Sequence, residues 1–389
     1  MRVLRSERFA AVLLLVAAGL ALVVANSPAG PSIAFVVTVP LPIPGLAFSV
    51  GDWVKDGLLA IFFLLAAIEL RQELMHGELA SPRRALVPVV AAVGGVVVPA
   101  IIYLLLAPGP EFSSGWPIPT ATDVAFALGV LAIVGRGLPA RIRALLLALA
   151  VIDDFIAIVI IGMFFTKDPQ PLPLLLAVPV VLLFGWLSYR PPGFRRTALV
   201  LPTLIILGLA VWLLVALSGV HPTIAGVALG LIMAPRAAAR ARRALEPASN
   251  TVVLPLFAFV AALVVIPSIG IADVSPVFWA ILVALPLGKL VGISAGGLVA
   301  SALASRRERV PFLDMLVVAG LGGIGFTVSL LMNDLAFGDR PQLAVEGTLA
   351  ILSASIIAAG IGMAIGSARA AHYRRADNRG TQLSPVAPR

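Results

Sequence analysis

Apolar residues run through this chain in blocks too long for strands. Twelve stand out, near 9–26, 57–77, 84–106, 121–135, 143–165, 172–189, 197–217, 221–235, 250–267, 277–303, 311–332 and 344–368. A helix rises about 1.5 Å per residue and needs about 20 apolar residues to cross a bilayer core of about 30 Å. The pattern predicts an all-α polytopic membrane protein of about twelve transmembrane helices, one domain over residues 1–373. Arg2 and Arg5 ahead of the first block, and Val-Val-Ala-Asn-Ser at its end, also fit a cleaved signal peptide, but the spans that follow disfavour export of a soluble product. Residues 27–56 differ in kind. SIAFVVTVPLPIPGLAFSV is rich in β-branched residues and punctuated by Pro40, Pro42, Pro44 and Gly45, which predicts a short extracytoplasmic β-hairpin after span 1. Residues 374–389 read as a disordered cytoplasmic tail.

Two blocks break their own helical pattern. In Trp116-Pro-Ile-Pro-Thr-Ala-Thr-Asp123, prolines and threonines precede a short apolar run ending at Gly135. In Gly320-Leu-Gly-Gly-Ile-Gly-Phe-Thr327, four glycines fall within six residues, each costing about 1 kcal/mol relative to alanine in a helix interior. Gly322, Gly323 and Gly325 are therefore expected to unwind the chain, although glycines also serve close helix packing. Unwound backbone is tolerated at membrane depth only where protein buries it or it lines a wet cavity. The two breaks, in spans 4 and 11, occupy corresponding places in the three-span segments 84–165 and 277–368, the expected trace of an inverted repeat with a midplane site.

Composition agrees and narrows the function. Charged residues are 12%, hydrophobic residues 60%, and mean hydropathy is +1.07, outside the soluble range. The absence of cysteine excludes disulfides, thiolate metal sites and cysteine nucleophiles. A net charge of +9 would suit nucleic acid, but the 28 Lys and Arg sort by membrane side. Only Lys55, Lys167 and Arg340 lie opposite the rest, and the one basic residue left over is Lys289, inside a span. The positive-inside rule then places both termini in the cytoplasm, with contacts to lipid headgroups and no nucleic-acid partner.

Asp153 and Asp154 stand side by side within Ala144–Phe165, which holds no other charge. A carboxylate near the bilayer centre costs about 2.5–3.5 kcal/mol on insertion scales, so the pair marks a site for a small cation and protons.

The ordered segments DGLLAIFFLLAAIEL (56–70), TATDVAFALGVLAIVG (120–135), LALAVIDDFIAIVII (147–161), SGVHPTIAGVALG (218–230), LPLFAF (254–259), GKLVGIS (288–294) and AGLGGIGFTVSLLMNDLAFG (319–338) carry a specific resemblance. Together they resemble the NhaA-type sodium/proton antiporters over nearly the whole chain. The resemblance implies twelve spans, with the fourth and eleventh broken and crossing. It implies electrogenic export of Na⁺ or Li⁺ against inward protons by alternating access, for pH and sodium homeostasis in the bacterial plasma membrane, without a cofactor and with activity rising at alkaline pH. Carried over by position, Asp154 and Asp153 would bind ion and protons. Asp123 and Thr122 would sit at the break of span 4, and Lys289 would be the buried partner. Glu69 and Glu246 would answer to pH at a cytoplasmic funnel, and the 27–56 hairpin would join a homodimer. Departures are local. Gln72 replaces a usual basic residue, Phe-Val-Ala-Ala-Leu follows Leu-Phe-Ala in place of Asn-Ala-Gly, and histidines expected near Pro247 and Asn250 are absent.

Elementary chemistry fits this reading. Na⁺ is hard and takes oxygen ligands such as carboxylates, a hydroxyl and backbone carbonyls. Sodium and protons then compete for the same oxygens, and competition at one site suffices for obligatory exchange. Successive helical residues point about 100° apart, so one aspartate coordinates the ion while the other meets Lys289. The Asp153–Lys289 pair can exchange a proton as a unit, or Lys289 can serve only as a neutralising charge. Asp123 either neutralises broken-helix termini or joins the ion's ligands with Thr122. His221, ahead of Pro222, suits an N-terminal helix position or a pH role equally. Glu69 and Glu73 are expected at the inner face, lining the funnel or snorkelling to the interface, and Asp314 and Glu346 as solvated boundary residues. An intramembrane aspartyl enzyme is disfavoured, because its carboxylates face each other from different helices. An ion-coupled symporter of related architecture would call for an uncharged polar ion site.

Overall fold

The computed structural model describes residues 7–41, 48–166, 168–190, 194–267, 273–305 and 308–382. Among them the chain is mostly helical and forms no sheet. It opens with α1 (Glu7–Ala25) and α2 (Gly30–Thr38). The short α3 (Val50–Asp52) runs through a wide helical turn at Trp53–Leu58 into α4 (Leu59–His76). α5 (Pro82–Leu106) is followed by single tight turns at Ser113–Gly115 and Ile118–Thr120, and then by α6 (Val124–Val134). Next come α7 (Ala140–Phe164), α8 (Pro171–Ser188), α9 (Phe194–Leu217) and α10 (Thr223–Ile232). α11 (Pro235–Ala248) and α12 (Leu254–Ala261) join through a second wide turn, and α13 (Pro276–Val283) passes through a third into α14 (Lys289–Leu303). α15 (Phe312–Gly322), α16 (Phe326–Phe337) and α17 (Pro341–Gln382) follow.

Nine helices among the described residues are long and apolar enough to cross a membrane, or ten if α15 and α16, bent by 49° at their junction, are one span. α4 and α10 occupy two further expected blocks. α4 carries Glu69, Arg71 and Glu73, and α10 is only ten residues long.

The segment 27–56 departs from expectation. Gly30–Thr38 is a helix, with Pro31 in its first turn, and only an isolated antiparallel bridge links Pro40 to Ser49. Pro42 and the rest of the expected turn, 42–47, lie outside the described residues. β-branched residues disfavour a helix by only a few tenths of a kcal/mol each, while proline in the first turn has its φ already set for one. Ser49 then starts α3 through a reciprocal cap with Asp52: Asp52 N donates to Ser49 Oγ (3.2 Å), and Ser49 N donates to Asp52 Oδ2 (2.8 Å). α17 continues to Gln382, past the boundary expected at 374, and residues 383–389 lie outside the described set.

Burial ranks the helices. In α7 72% of the apolar window is buried, against 17% for Leu199–Leu217, so α7 is central and α9 peripheral. Beside α7, α5 and α14 meet backbone to backbone. A Cβ on Gly94 would lie 2.3 Å from Gly292 O, and one on Gly292 would lie 2.1 Å from Gly94 O. Small residues permit such contacts where lipid offers no hydrophobic drive for helix pairing. The crossing lays Lys289, the first residue of α14, along α5 near Gly95.

Candidate functional site

α7 holds Asp153 and Asp154, both buried. Helical geometry turns them apart. Asp153 faces α14: Lys289 Nζ donates to its Oδ2 at 2.5 Å, and both side chains are fully buried. Thr122 Oγ1 lies 2.7 Å from the same Oδ2 and 2.7 Å from the carbonyl of Gly322, and it accepts from Lys289 at 2.9 Å. A hydroxyl has one proton, so it donates to only one of these oxygens at a time. Asp153 Oδ1 has no hydrogen-bond partner among the described residues. Four groups from four elements thus converge: Asp153, Lys289, Thr122 and the end of α15.

Asp154 faces the other way, into a cavity of about 210 Å³ that it lines with Glu69, Arg143, Arg242, Glu246 and Asn250. Arg242, on α11, gathers the polar wall. Its guanidinium lies 3.3 Å from Glu69 and 3.3 Å from Glu246, and it donates to Gln72 at 2.8 Å. Gln72 is thus met by a guanidinium from α11.

Asp123 sits where the non-helical segment before α6 meets the one between α15 and α16. It is the N-cap of α6, its Oδ1 accepting from Phe126 N at 2.9 Å. Its Oδ2 accepts from the backbone and hydroxyl of Thr327 in the first turn of α16, at 3.1 and 2.6 Å. One carboxylate therefore answers two helix N-termini, each with its partial positive charge. Asp123 N also donates to Ile324 O at 2.6 Å. Between Gly322 and Phe326 the chain leaves helical geometry. A Cβ on Gly325 would lie 2.2 Å from Ser329 Oγ and 3.1 Å from Ala121 O, so a side chain there would displace the serine and press on the neighbouring backbone. Gly323 caps α15, and its Cβ would meet Ala358 and Pro286 at 3.3 Å each.

His221 belongs elsewhere. It is buried against Asp56 (3.3 Å) and Thr223 (2.7 Å), in a cluster with Trp212, whose indole donates to Asp56 O. Glu73 accepts from the amide of Glu78 at 3.1 Å. Two expectations fail outright. Asp314 is fully buried, accepting from Arg141 (2.6 Å), Arg369 (2.7 Å) and Tyr373 (2.8 Å). Glu346 is buried too and accepts from Ser275 N (2.9 Å) at the start of α13 and from Gln342 (3.1 Å). Their partners are remote in sequence or unremarkable beside them, so nothing local distinguished these acids from solvated ones. Thr327 and Ser329 were equally hidden. The only available signal was their place just after the glycines.

The chemistry gathered here is carboxylate, hydroxyl and carbonyl oxygen around one buried ammonium, a donor set for a hard monovalent cation and for protons. Comparison with known proteins points the same way. The family model described as Na+/H+ antiporter 1 matches residues 1–365. A protein of Clavibacter michiganensis named Na(+)/H(+) antiporter NhaA 2 is 53% identical over 378 residues, covering 94% of this chain and 92% of that one. Proteins named Na(+)/H(+) antiporter NhaA from Tropheryma whipplei (strain Twist) and Thermobifida fusca are 44% and 41% identical. They cover 92% and 96% of this chain, and 93% and 95% of their own.

Proposed function

We propose that this chain, which belongs to the Na+/H+ antiporter 1 family and is a multi-pass membrane transporter, exchanges Na⁺ for protons at the Asp153–Asp154 pair. The observation that carries this reading is the divergence of the two acids, Asp154 toward a cavity and Asp153 toward Lys289 and the crossed breaks. The cavity is the ion's approach. Na⁺ binds Asp154 first and draws on Asp153 Oδ1, with Thr122 and the Gly322 carbonyl as nearby oxygens. Arrival of the cation weakens the hold of Asp153 on the ammonium of Lys289, and protons leave; their return on the other side expels Na⁺. Because a bound ion and bound protons use the same oxygens, neither crosses without the other being released.

Asp123 neutralises the two helix N-termini at the crossing and leaves ion ligation to its neighbours. The bent α15–α16 pair and the interrupted segment before α6 act as the discontinuous helices of spans 11 and 4 in a twelve-span fold. The sidedness of Lys and Arg supports cytoplasmic termini and insertion in the bacterial plasma membrane. Li⁺ shares the chemistry of Na⁺ and follows the same route. Glu69 and Glu246, held by Arg242 over the cavity, tune access with pH, and His221 with Asp56 responds separately. Lipid surrounds the exposed faces of α8 and α9, and the 27–56 segment mediates a homodimer.

The test is dissipation of a proton gradient in everted vesicles on adding Na⁺, Li⁺ or K⁺. Na⁺ and Li⁺ should dissipate it, K⁺ should not, and Asp154→Asn at equal expression should show no response. Near-normal exchange by that variant would remove Asp154 from the centre of the mechanism.

A further inference from the structure

Ser249 is only 1% exposed, yet its Oγ has no hydrogen-bond partner among the described residues. Buried hydroxyls on helices ordinarily return to a nearby backbone carbonyl. Thr120, Ser188 and Ser218 do so here, donating to Pro117 O, Gly185 O and Val215 O at 2.6–2.7 Å. So does Thr251, two residues beyond Ser249, whose hydroxyl donates to Pro247 O at 2.7 Å. Ser275 and Ser294 also lack a partner, but of these three serines only Ser249 lines the cavity that Asp154 faces.

The helix that carries Ser249 explains its place. α11 runs through the wide turn Ser249–Val253 into α12, where Pro255 has no amide to offer the carbonyl of Thr251 four residues back. Along this rod Arg242, Glu246, Ser249 and Asn250 recur at helical spacing, so they share one face, and all four line the cavity. Their order is graded. Arg242 and Glu246 are partly exposed and charged, paired with each other, and Arg242 also holds Glu69. One turn further on, Ser249 is neutral and buried, and Asp154, also buried, faces the same space from α7. A cation on this route must shed water before it meets a buried carboxylate. Na⁺ is hard, and a hydroxyl or an amide carbonyl can replace a water oxygen around it. An oxygen without a protein partner breaks no hydrogen bond when it turns to the ion. Given the exchange at Asp154 proposed above, on which this subsite depends, we propose that Ser249 Oγ and the side-chain carbonyl of Asn250 form an approach subsite where Na⁺ exchanges water for protein oxygens.

The experiment compares the full-length wild type with Ser249→Ala and Ser249→Cys. It follows Na⁺- and Li⁺-driven dissipation of a proton gradient in proteoliposomes, and thermal unfolding in detergent against Na⁺. Alanine removes the oxygen, while cysteine keeps nearly the same volume with a soft sulfur that suits a hard cation poorly. Neither breaks a hydrogen bond to the described residues, so without Na⁺ both variants should unfold at the wild-type temperature. Both should need about tenfold more Na⁺ for half-maximal exchange and for half-maximal stabilisation, the loss of one charge-assisted contact. Li⁺ is smaller and satisfied by fewer oxygens, so it should lose less and the preference should shift toward it. An unchanged Na⁺ dependence in both variants, beside an active wild type and an inactive Asp154→Asn, overturns the subsite and leaves the transport site standing. Equal losses for Na⁺ and Li⁺ with a displaced pH profile also overturn it, and make the hydroxyl a hydrogen-bond partner of Asp154 instead of an ion ligand. A wild type that exchanges neither ion removes the transport reading itself, and the subsite with it.

Discussion

Replacing Lys289 with glutamine probes the centre of the site. Lys289 Nζ and Asp153 Oδ2 are 2.5 Å apart with both side chains fully buried. Removing one member of such a pair leaves the other charged, unpaired and desolvated, at a typical cost of ~3–5 kcal/mol. Glutamine keeps a donor for Thr122 or Asp153 but not the charge, so the loss should fall near the lower end, ~3 kcal/mol. Removing both charges, as in Lys289→Gln with Asp153→Asn, should restore most of the stability, because two neutral partners can hydrogen-bond without an orphan ion. The assay is unfolding of the four proteins of this double-mutant cycle in a denaturant series, with Na⁺ flux measured in proteoliposomes at matched folded amounts. If Lys289 carries a transported proton, flux in Lys289→Gln should lose its response to an imposed potential. If it is only a structural charge, flux stays driven by potential in a less stable protein. A loss below about 1 kcal/mol, or a double variant no better than the sum of the singles, would refute the claim that the pair is a coupled buried unit.

Asp123→Ala should destabilise by about 2–4 kcal/mol, since two helix N-termini lose their cap and the amides of Phe126 and Thr327 are left without this acceptor. Asp123→Asn, with one acceptor oxygen in place of two, should fall between, as read by thermal unfolding. Asp314→Asn should cost about 2–3 kcal/mol, discounted for the half-exposed Arg141, while exchange per folded molecule stays unchanged. The apparent Na⁺ affinity should improve as pH rises, by up to about tenfold per unit and per competing proton, until the site is proton-free; a pH-independent KM in everted vesicles would rule out competition. Exchange should move net charge, so an imposed potential should change the wild-type Na⁺ flux.

What could be read in advance followed from how local each signal was. The expected blocks coincide with helices because some twenty consecutive apolar residues are their own evidence, whatever packs beside them. α4 and α10 meet the pattern less fully, since a helix can stay buried while carrying Glu69 and Arg71, or while spanning only ten residues. Asp153, Asp154 and Lys289 were visible because a charge in an apolar run is conspicuous. Which aspartate meets the lysine depends on the rotation of α7, and that is set by neighbours. Residues 30–38 were misread as strand from side-chain branching, while the proline opening that helix prevailed. Asp314 and Arg242 were missed for one shared reason. Arg141 and Arg369 are 173 and 55 positions from Asp314, and Arg242 is 173 from Glu69. Pairing at such separations leaves no trace in a single sequence.

The hydrogen bond from Asp123 N to Ile324 O, with the two that Asp123 accepts from Thr327, has a mechanical consequence. It rivets two chain interruptions into a single joint. A torque applied to α6 cannot be absorbed as an independent swivel of that half-helix, because it loads α16 through the same carboxylate. In the exchange proposed above, rocking that opens the site to one face and closes it to the other must carry the joint as a rigid hub, with flexure displaced to the outer ends of α6, α15 and α16, or else snap three polar contacts at once. In that proposed mechanism the axle is Asp123, a residue given no place among the ion's ligands.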